Sequence, residues 1–226
     1  KHDILNRQRM VINESGGKSP VDNLPNNKLV DNQYKKLVDQ KANYALGKPI
    51  TVATSDDTYL ALLNKIFDKK MAMKMRRIGK MSINSGIAWL HPYVNESGEL
   101  KFATFPSYEI CPIWTDASHT DLSGALRCYN EDVYSNGSVE TIERVELHSK
   151  SGVTRYLRKG NSLIPDKSNP HSDYLQIDGK PFNWDRVPLI PFRYNADELP
   201  LINNVKCLQD SLNQVLSDFQ NNLEED

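Results

Sequence analysis

Apolar residues in this chain recur at one period, then another, then the first again, and that switch decides which folds are open to it. From Asn27 to Asn84 they return every three or four residues. Beyond Gly86 they tend to alternate, and from Leu201 helical spacing resumes. A period near 3.6 builds one apolar face of a helix, whereas a period of 2 builds one apolar face of a strand. Helices at both ends of a strand-rich middle make an α+β fold. The expected architecture is N-terminal helices packed with an antiparallel β-rich layer, ending in a long C-terminal helix.

The punctuation of the chain sharpens this reading. Residues 1–25 combine a short phrase, His2 to Arg7, with a Ser/Gly/Pro/Asn-rich stretch and read as an extended arm that needs neighbours for order. Val30, Tyr34, Leu37, Val38 and Ala45 predict a first helix from Asn27, with Asn26 or Asn27 as N-cap, Gly47 as C-terminal cap and Pro49 beyond it. Ser55-Asp56-Asp57 caps a second helix carrying Tyr59, Leu63, Ile66 and Phe67, and a third runs from about Lys70 to Asn84.

Turn signals then crowd the chain at Asn95-Glu96-Ser97-Gly98, Ser135-Asn136-Gly137, Lys150-Ser151-Gly152, Lys159-Gly160-Asn161 and Asp178-Gly179, implying an antiparallel meander. Strands are expected over 87–94, 100–105, 110–114, 125–133, 141–149 and 153–158. Pro188 and Pro191 each lack a ladder donor, which places their segment at a sheet edge or in an irregular crossing. The final helix carries Leu201, Val205, Leu208, Leu212, Val215, Leu216, Phe219 and Leu223 in one stripe, and after Lys206 its only charges are acidic.

The net charge of −1 conceals an opposition, since residues 1–80 carry 16 Lys/Arg against 8 Asp/Glu and residues 81–226 carry 12 against 21. Such halves suit subunit packing or an acidic surface held away from nucleic acid. Apolar runs fall well short of the roughly 20 residues that span a bilayer, and no secretory leader opens the chain, so neither a membrane nor a secreted location is expected. Cys111, Cys128 and Cys207 lack ligand spacing and read as buried thiols in a reducing compartment.

Chemistry-bearing patterns are missing. The histidines His2, His91, His119, His148 and His171 form no HExxH pair, and there is no GxSxG elbow, Walker loop or GxGxxG turn. The adjacent carboxylates Glu131-Asp132 and Asp197-Glu198 would point to opposite faces of a strand. No catalytic residue, metal site or cofactor is therefore expected, and an enzyme assembled from distant residues is the reading set aside. The strongest cluster is cationic: Lys65, Lys69, Lys70, Lys74, Arg76, Arg77 and Lys80, with only Asp68 against them. It suits phosphate contact by a nucleic-acid-backbone-binding module over 65–80, or contacts between subunits. The simpler account turns Met71, Met75 and Ile78 inward and leaves the cations in solvent, with Met71, Met73, Met75 and Met81 serving as adaptable packing. Aromatics are not interleaved as a single-strand stacking platform requires.

Five phrases in order carry a resemblance: HDILNR (His2 to Arg7), NNKLVDNQYKKLVDQKANYALGKPI (Asn26 to Ile50), GIAWLHPYV (Gly86 to Val94), RVPLIPFRYN (Arg186 to Asn195) and LPLINNVKCLQDSLNQVLSDFQNNLEED (Leu199 to Asp226). Together they resemble portal proteins of tailed double-stranded-DNA phages, in the branch common among phages of Gram-positive bacteria. The resemblance implies a structural, non-enzymatic subunit of a ring, commonly twelve copies, at one capsid vertex. That ring is the head-to-tail connector through which double-stranded DNA is packaged and ejected. Its implied partners are further copies of itself, the terminase, capsid and scaffold proteins and tail-connector proteins. The implied locations are the virion and, during assembly, the host bacterial cytoplasm.

The resemblance also divides the chain into an arm (1–25), a wing-like α+β domain (26–198) and the start of a stem helix (199–226), with clip, channel loop and crown expected beyond residue 226. It makes Asp210, Asp218 and Glu225 candidate channel-facing acids, which would repel phosphate and let a duplex slide. Lys69, Lys70, Lys74, Arg76, Arg77 and Lys80 become candidate phosphate or inter-subunit contacts.

Overall fold

The computed structural model describes residues 3–135 and 137–225. His2, Asn136 and Asp226, which enter the readings of the first phrase, the 135–137 turn and the acidic end, lie outside the described residues. A short 3-10 helix (Ile4–Asn6) precedes strands β1 (Met10–Ile12) and β2 (Lys18–Pro20), then helices α1 (Gln33–Leu46), α2 (Asp57–Ile66) and α3 (Lys69–Ser85). Strands β3 (Ile87–Val94), β4 (Leu100–Phe105), β5 (Ile110–Trp114), β6 (Leu122–Ser135), β7 (Ser138–Ser149), β8 (Gly152–Lys159) and β9 (Ser162–Pro165) follow. The short strands β10 (His171–Ser172), β11 (Leu175–Ile177), β12 (Lys180–Phe182) and β13 (Ile190–Arg193) lead to helix α4 (Ile202–Glu225). The chain divides into two compact units, Lys1–Tyr44 with Leu201–Asp226, and Ala45–Pro200.

In the first unit the arm forms a small antiparallel hairpin, with Met10 opposite Pro20 and Ile12 opposite Lys18. The expected start of the first helix at Asn27 is corrected: α1 begins at Gln33, where Asn32 caps it by accepting from the Lys35 N–H at 2.9 Å. The cause is a competing set of hydrogen bonds. Backbone N–H groups of Asn27, Leu29 and Asp31 donate to Asn221 Oδ1, Ser217 Oγ and Asn213 Oδ1 at 2.6, 2.9 and 3.0 Å, and Tyr34 N–H donates to Gln209 Oε1 at 2.9 Å. The acceptors stand four residues apart on α4. Two residues of extended chain advance about 6.6 Å and four residues of helix about 6.0 Å, so every second donor meets the next turn's side chain.

The second unit is built in layers. Asp56 caps α2 by accepting from Tyr59 N–H at 3.0 Å, and Asp68 caps α3 by accepting from Met71 N–H at 2.8 Å. Gly86 ends α3 at φ +83°, and a Cβ there would sit 1.7 Å from the Glu198 carbonyl oxygen, so only glycine fits. Strand β3 is the middle strand of a three-stranded sheet ordered β13-β3-β4. Its alternation sends Ala88 and Leu90 into one cluster with Met71 and Ile78 of α3. Trp89 joins a second cluster with Phe105, Ile110, Ala125, Val187 and Leu189. The larger sheet, ordered β10-β8-β7-β6-β5 with β9 on β8, supplies Ile110 and Ala125 to that second cluster. Strand β13 lies at an edge with Pro191 opposite Trp89, where a missing donor costs nothing.

The thiol expectation is also corrected. Cys111, Cys128 and Cys207 are all exposed. On β5 the alternation buries Ile110 and turns Cys111 outward, a consequence of register that composition does not reveal.

Candidate functional site

Helix α4 shows an inverted amphipathicity. Its buried residues are Asn213, Ser217 and Asn221, at 8, 0 and 2% exposure, while Leu208, Val215, Phe219 and Leu223 of the apolar stripe are exposed. The polar side chains are buried because each accepts a backbone donor, which removes the desolvation penalty. The apolar stripe is left open at those four positions, while Val205, Leu212 and Leu216 are half-buried.

Each candidate acid on this helix has a cation beside it. Lys206 Nζ reaches Asp210 at 2.9 Å in an i, i+4 pair, Arg7 pairs with Asp218, and Arg9 pairs with Glu225 while also donating to the Pro25 carbonyl at 2.8 Å. Lys28 Nζ donates to the Leu5 carbonyl at 2.9 Å, tying the arm to the extended strand. Part of the charge opposition read from the sequence is thus absorbed inside one unit, where basic arm residues meet acids of the last helix.

On α3 the inward face is Met71, Ile78, Ser82 and Ile83, with Met75 packed beside them. Lys74 lies along the sheet and donates to the Phe102 carbonyl at 2.5 Å, and Lys80 is half-buried. Lys69, Lys70 and Arg77 are exposed and Arg76 is half-buried. The assignment of Met73 to packing is corrected, because it stands on the outward face, 58% exposed. The candidate cations therefore divide between a structural contact at Lys74 and an outward group around Met73.

A buried polar cluster in the second unit escaped the sequence reading. Glu146 lies between Arg127 at 3.3 Å, His148 at 3.5 Å and Arg155 at 3.7 Å, and accepts from the Tyr129 hydroxyl at 3.2 Å. Burial alone would raise its pKa, but His148 and the two guanidinium groups outweigh it and hold the carboxyl down at about 2. Arg127 also spans Glu109 at 3.0 Å and covers the rings of Phe105 and Tyr129 at 4.0 Å. His91 packs edge-on to His148 at 5.4 Å, its Nδ1 2.7 Å from the Pro188 carbonyl oxygen, and burial pushes its pKa below the ordinary value. Tyr174 closes the cluster, its hydroxyl pKa raised chiefly by burial. The ions are fixed by mutual pairing, an arrangement that orders a sheet interior.

One cleft in this unit encloses about 730 Å³ between Trp114, Leu122, Trp184 and the Val187–Ile190 segment. At its rim His119 stacks on Trp114 at 4.9 Å and approaches Glu198 at 3.3 Å, while Arg193 donates to Glu198 at 2.7 Å. His119 and Glu198 both hold positive φ, at 57° and 55°. Among the described residues, no group of three or more His, Cys, Asp or Glu side chains is arranged to hold a metal ion. Among the described residues no helix is long and apolar enough to cross a membrane.

Comparison with known proteins decides what this two-unit chain is. The model of the family described as phage portal protein, SPP1 Gp6-like, matches residues 1–226. The chain belongs to that family. The portal protein of Bacillus phage SPP1 is 28% identical over 230 residues, covering 97% of this chain and 45% of that protein. The portal protein of Clostridium phage phiCD119 is 24% identical over 236 residues, covering 100% of this chain and 50% of that protein. The chain spans about half the length of the curated relatives it matches. Membership of that family supports a structural role.

Proposed function

We propose that this chain forms the arm, wing and first stem helix of a portal subunit, assembling with further copies, commonly twelve, into the ring at a capsid vertex. The observation that carries the reading is the family match over the whole chain, joined to a 24-residue helix whose apolar stripe is open at four positions. A free helix face bearing Leu208, Val215, Phe219 and Leu223 is what neighbouring stem helices in a ring would cover. In this reading residues 1–25 are the arm, 26–198 the wing and 199–226 the stem. The ring passes double-stranded DNA during packaging and ejection, docks terminase, capsid and tail proteins, and is built in the host cytoplasm before residing in the virion.

Asp210, Asp218 and Glu225 are the proposed channel acids. With Lys206, Arg7 and Arg9 beside them they would form a wall of balanced charge, which gives a sliding duplex few phosphate anchors. A second reading, backbone-phosphate binding by residues 65–80, draws on the outward Lys69, Lys70 and Arg77. Negative-stain microscopy of the full-length chain tests the first reading. Annular particles with a central opening are expected. Uniform small globules, with duplex binding that weakens as salt rises, would favour the second.

A further inference from the structure

The hairpin of β6 and β7 outruns the sheet that supports it. Strand β5 pairs with β6 only as far as Arg127, and β8 pairs with β7 only from Glu143, whereas β6 and β7 remain paired out to Ser135 opposite Ser138. Five rungs, from Glu131 opposite Ile142 onward, therefore project without a lateral neighbour, a ribbon roughly 17 Å long. Isolated two-stranded ribbons are marginal in water and gain order from contact.

The surface chemistry of this ribbon is one-sided. From Asn130 to Glu143 the chain has four carboxylates and no Lys, Arg or His. Glu131 pairs with Arg144, and Glu143 with Arg158 at 2.8 Å. Asp132 and Glu140 have no ion pair among the described residues. Near the tip, Tyr134 stands opposite Val139, and the two side chains are 74 and 65% exposed. On the face that carries Tyr134 and Val139 the neighbouring carboxylate is Asp132, two residues back on β6, while Glu140 points to the other face.

The same unit carries the complementary surface. Met73 projects from α3, and the four residues three and four positions away, Lys69, Lys70, Arg76 and Arg77, are its neighbours on a helix and are all cationic. None of the four has an ion pair within 4 Å among the described residues. An exposed methionine ringed by cations matches, in size and in sign, an exposed tyrosine and valine with a carboxylate beside them. Aromatic and methionine anchors inside a charged rim are the usual composition of a protein contact.

We propose that the β6–β7 ribbon of one subunit docks on the outward face of α3 in the next, Tyr134 and Val139 against Met73, Asp132 against the surrounding cations. This rests on the ring reading above. The two patches lie on different elements of one chain, so the contact is head-to-tail, the type that closes rings.

The test uses full-length protein with Cys111, Cys128 and Cys207 replaced by serine. Subunits carrying Tyr134→Cys are mixed with subunits carrying Met73→Cys, assembled and oxidised. A two-subunit band in the mixture, absent when either variant is alone, is expected. A second arm reverses charge: Asp132→Lys should lower ring yield about tenfold, and adding Lys69→Glu with Arg77→Glu should restore it. Rings that assemble without cross-linking and ignore the reversals would overturn the contact while leaving the ring reading standing. Reversals on α3 that spare assembly but weaken duplex binding would assign that face to phosphate instead. A wild-type chain that never exceeds one subunit's mass removes the ring reading and this contact with it.

Discussion

The two units differ in what their longest elements bury, although the first also encloses Ile4, Val38 and Ala42. In the second, Trp89, Phe105, Ile110, Val187 and Leu189 bury apolar surface between two sheets. In the first, the best-buried side chains of α4 are asparagines and a serine holding the backbone of residues 27–31. Hydrophobic burial is non-directional and tolerates neighbours of similar volume, whereas a ladder of hydrogen bonds specifies one register and fails rung by rung. The contrast teaches where each unit finds its stability. The second buries its main apolar cluster between sheets, while the first turns polar residues of α4 inward and leaves Leu208, Val215, Phe219 and Leu223 for a partner.

Removing the largest core side chain should break the second unit outright. Trp89→Ala is expected to cost about 3–5 kcal/mol, read as a lowered denaturant midpoint with near-ultraviolet dichroism lost. The ladder should yield less and more locally. Asn213→Leu or Ser217→Val strands one backbone donor at about 1–3 kcal/mol. Hydrogen exchange should accelerate at Asp31 for the first and at Leu29 for the second, with amides of β6 and β7 unchanged.

A smaller effect separates the units by pH. Burial holds the His91 pKa below its ordinary 6.5, so the unfolded chain takes up that proton more readily. Its contribution is complete above about pH 6.5 and shrinks as pH falls through the depressed folded value. His148, Glu146 and Arg127 surround the ring, and His148 and Arg127 both disfavour a second positive charge there. His91→Phe should flatten the stability profile of the second unit as pH falls below 6.5. The loss tied to Glu146 should remain, beginning below 4.5 as pH approaches 2.

What the sequence disclosed follows the same division. Strands 87–94, 100–105 and 110–114 were legible to the residue, because their alternation and their turns are local signals. The cap of α2 was legible for the same reason. Residues 27–32 read as helix because Val30 falls into period with Tyr34, yet their donors are claimed by side chains more than 180 positions away. The apolar stripe of α4 was visible, but periodicity shows which face is apolar and not which face is covered. The cluster of Glu146, His91 and His148 had no signal, since strands β3 and β7 meet only in the fold. The tip of the β6–β7 hairpin was cut short in the reading because a ribbon solvated on both faces shows no apolar alternation.

The mass of the full-length chain in solution, measured by light scattering at low and moderate salt, tests the ring most directly. A closed multiple of the subunit mass, near twelve and stable across concentration, is predicted, with the open face of α4 covered on assembly. A single-subunit mass at every concentration and salt would contradict it.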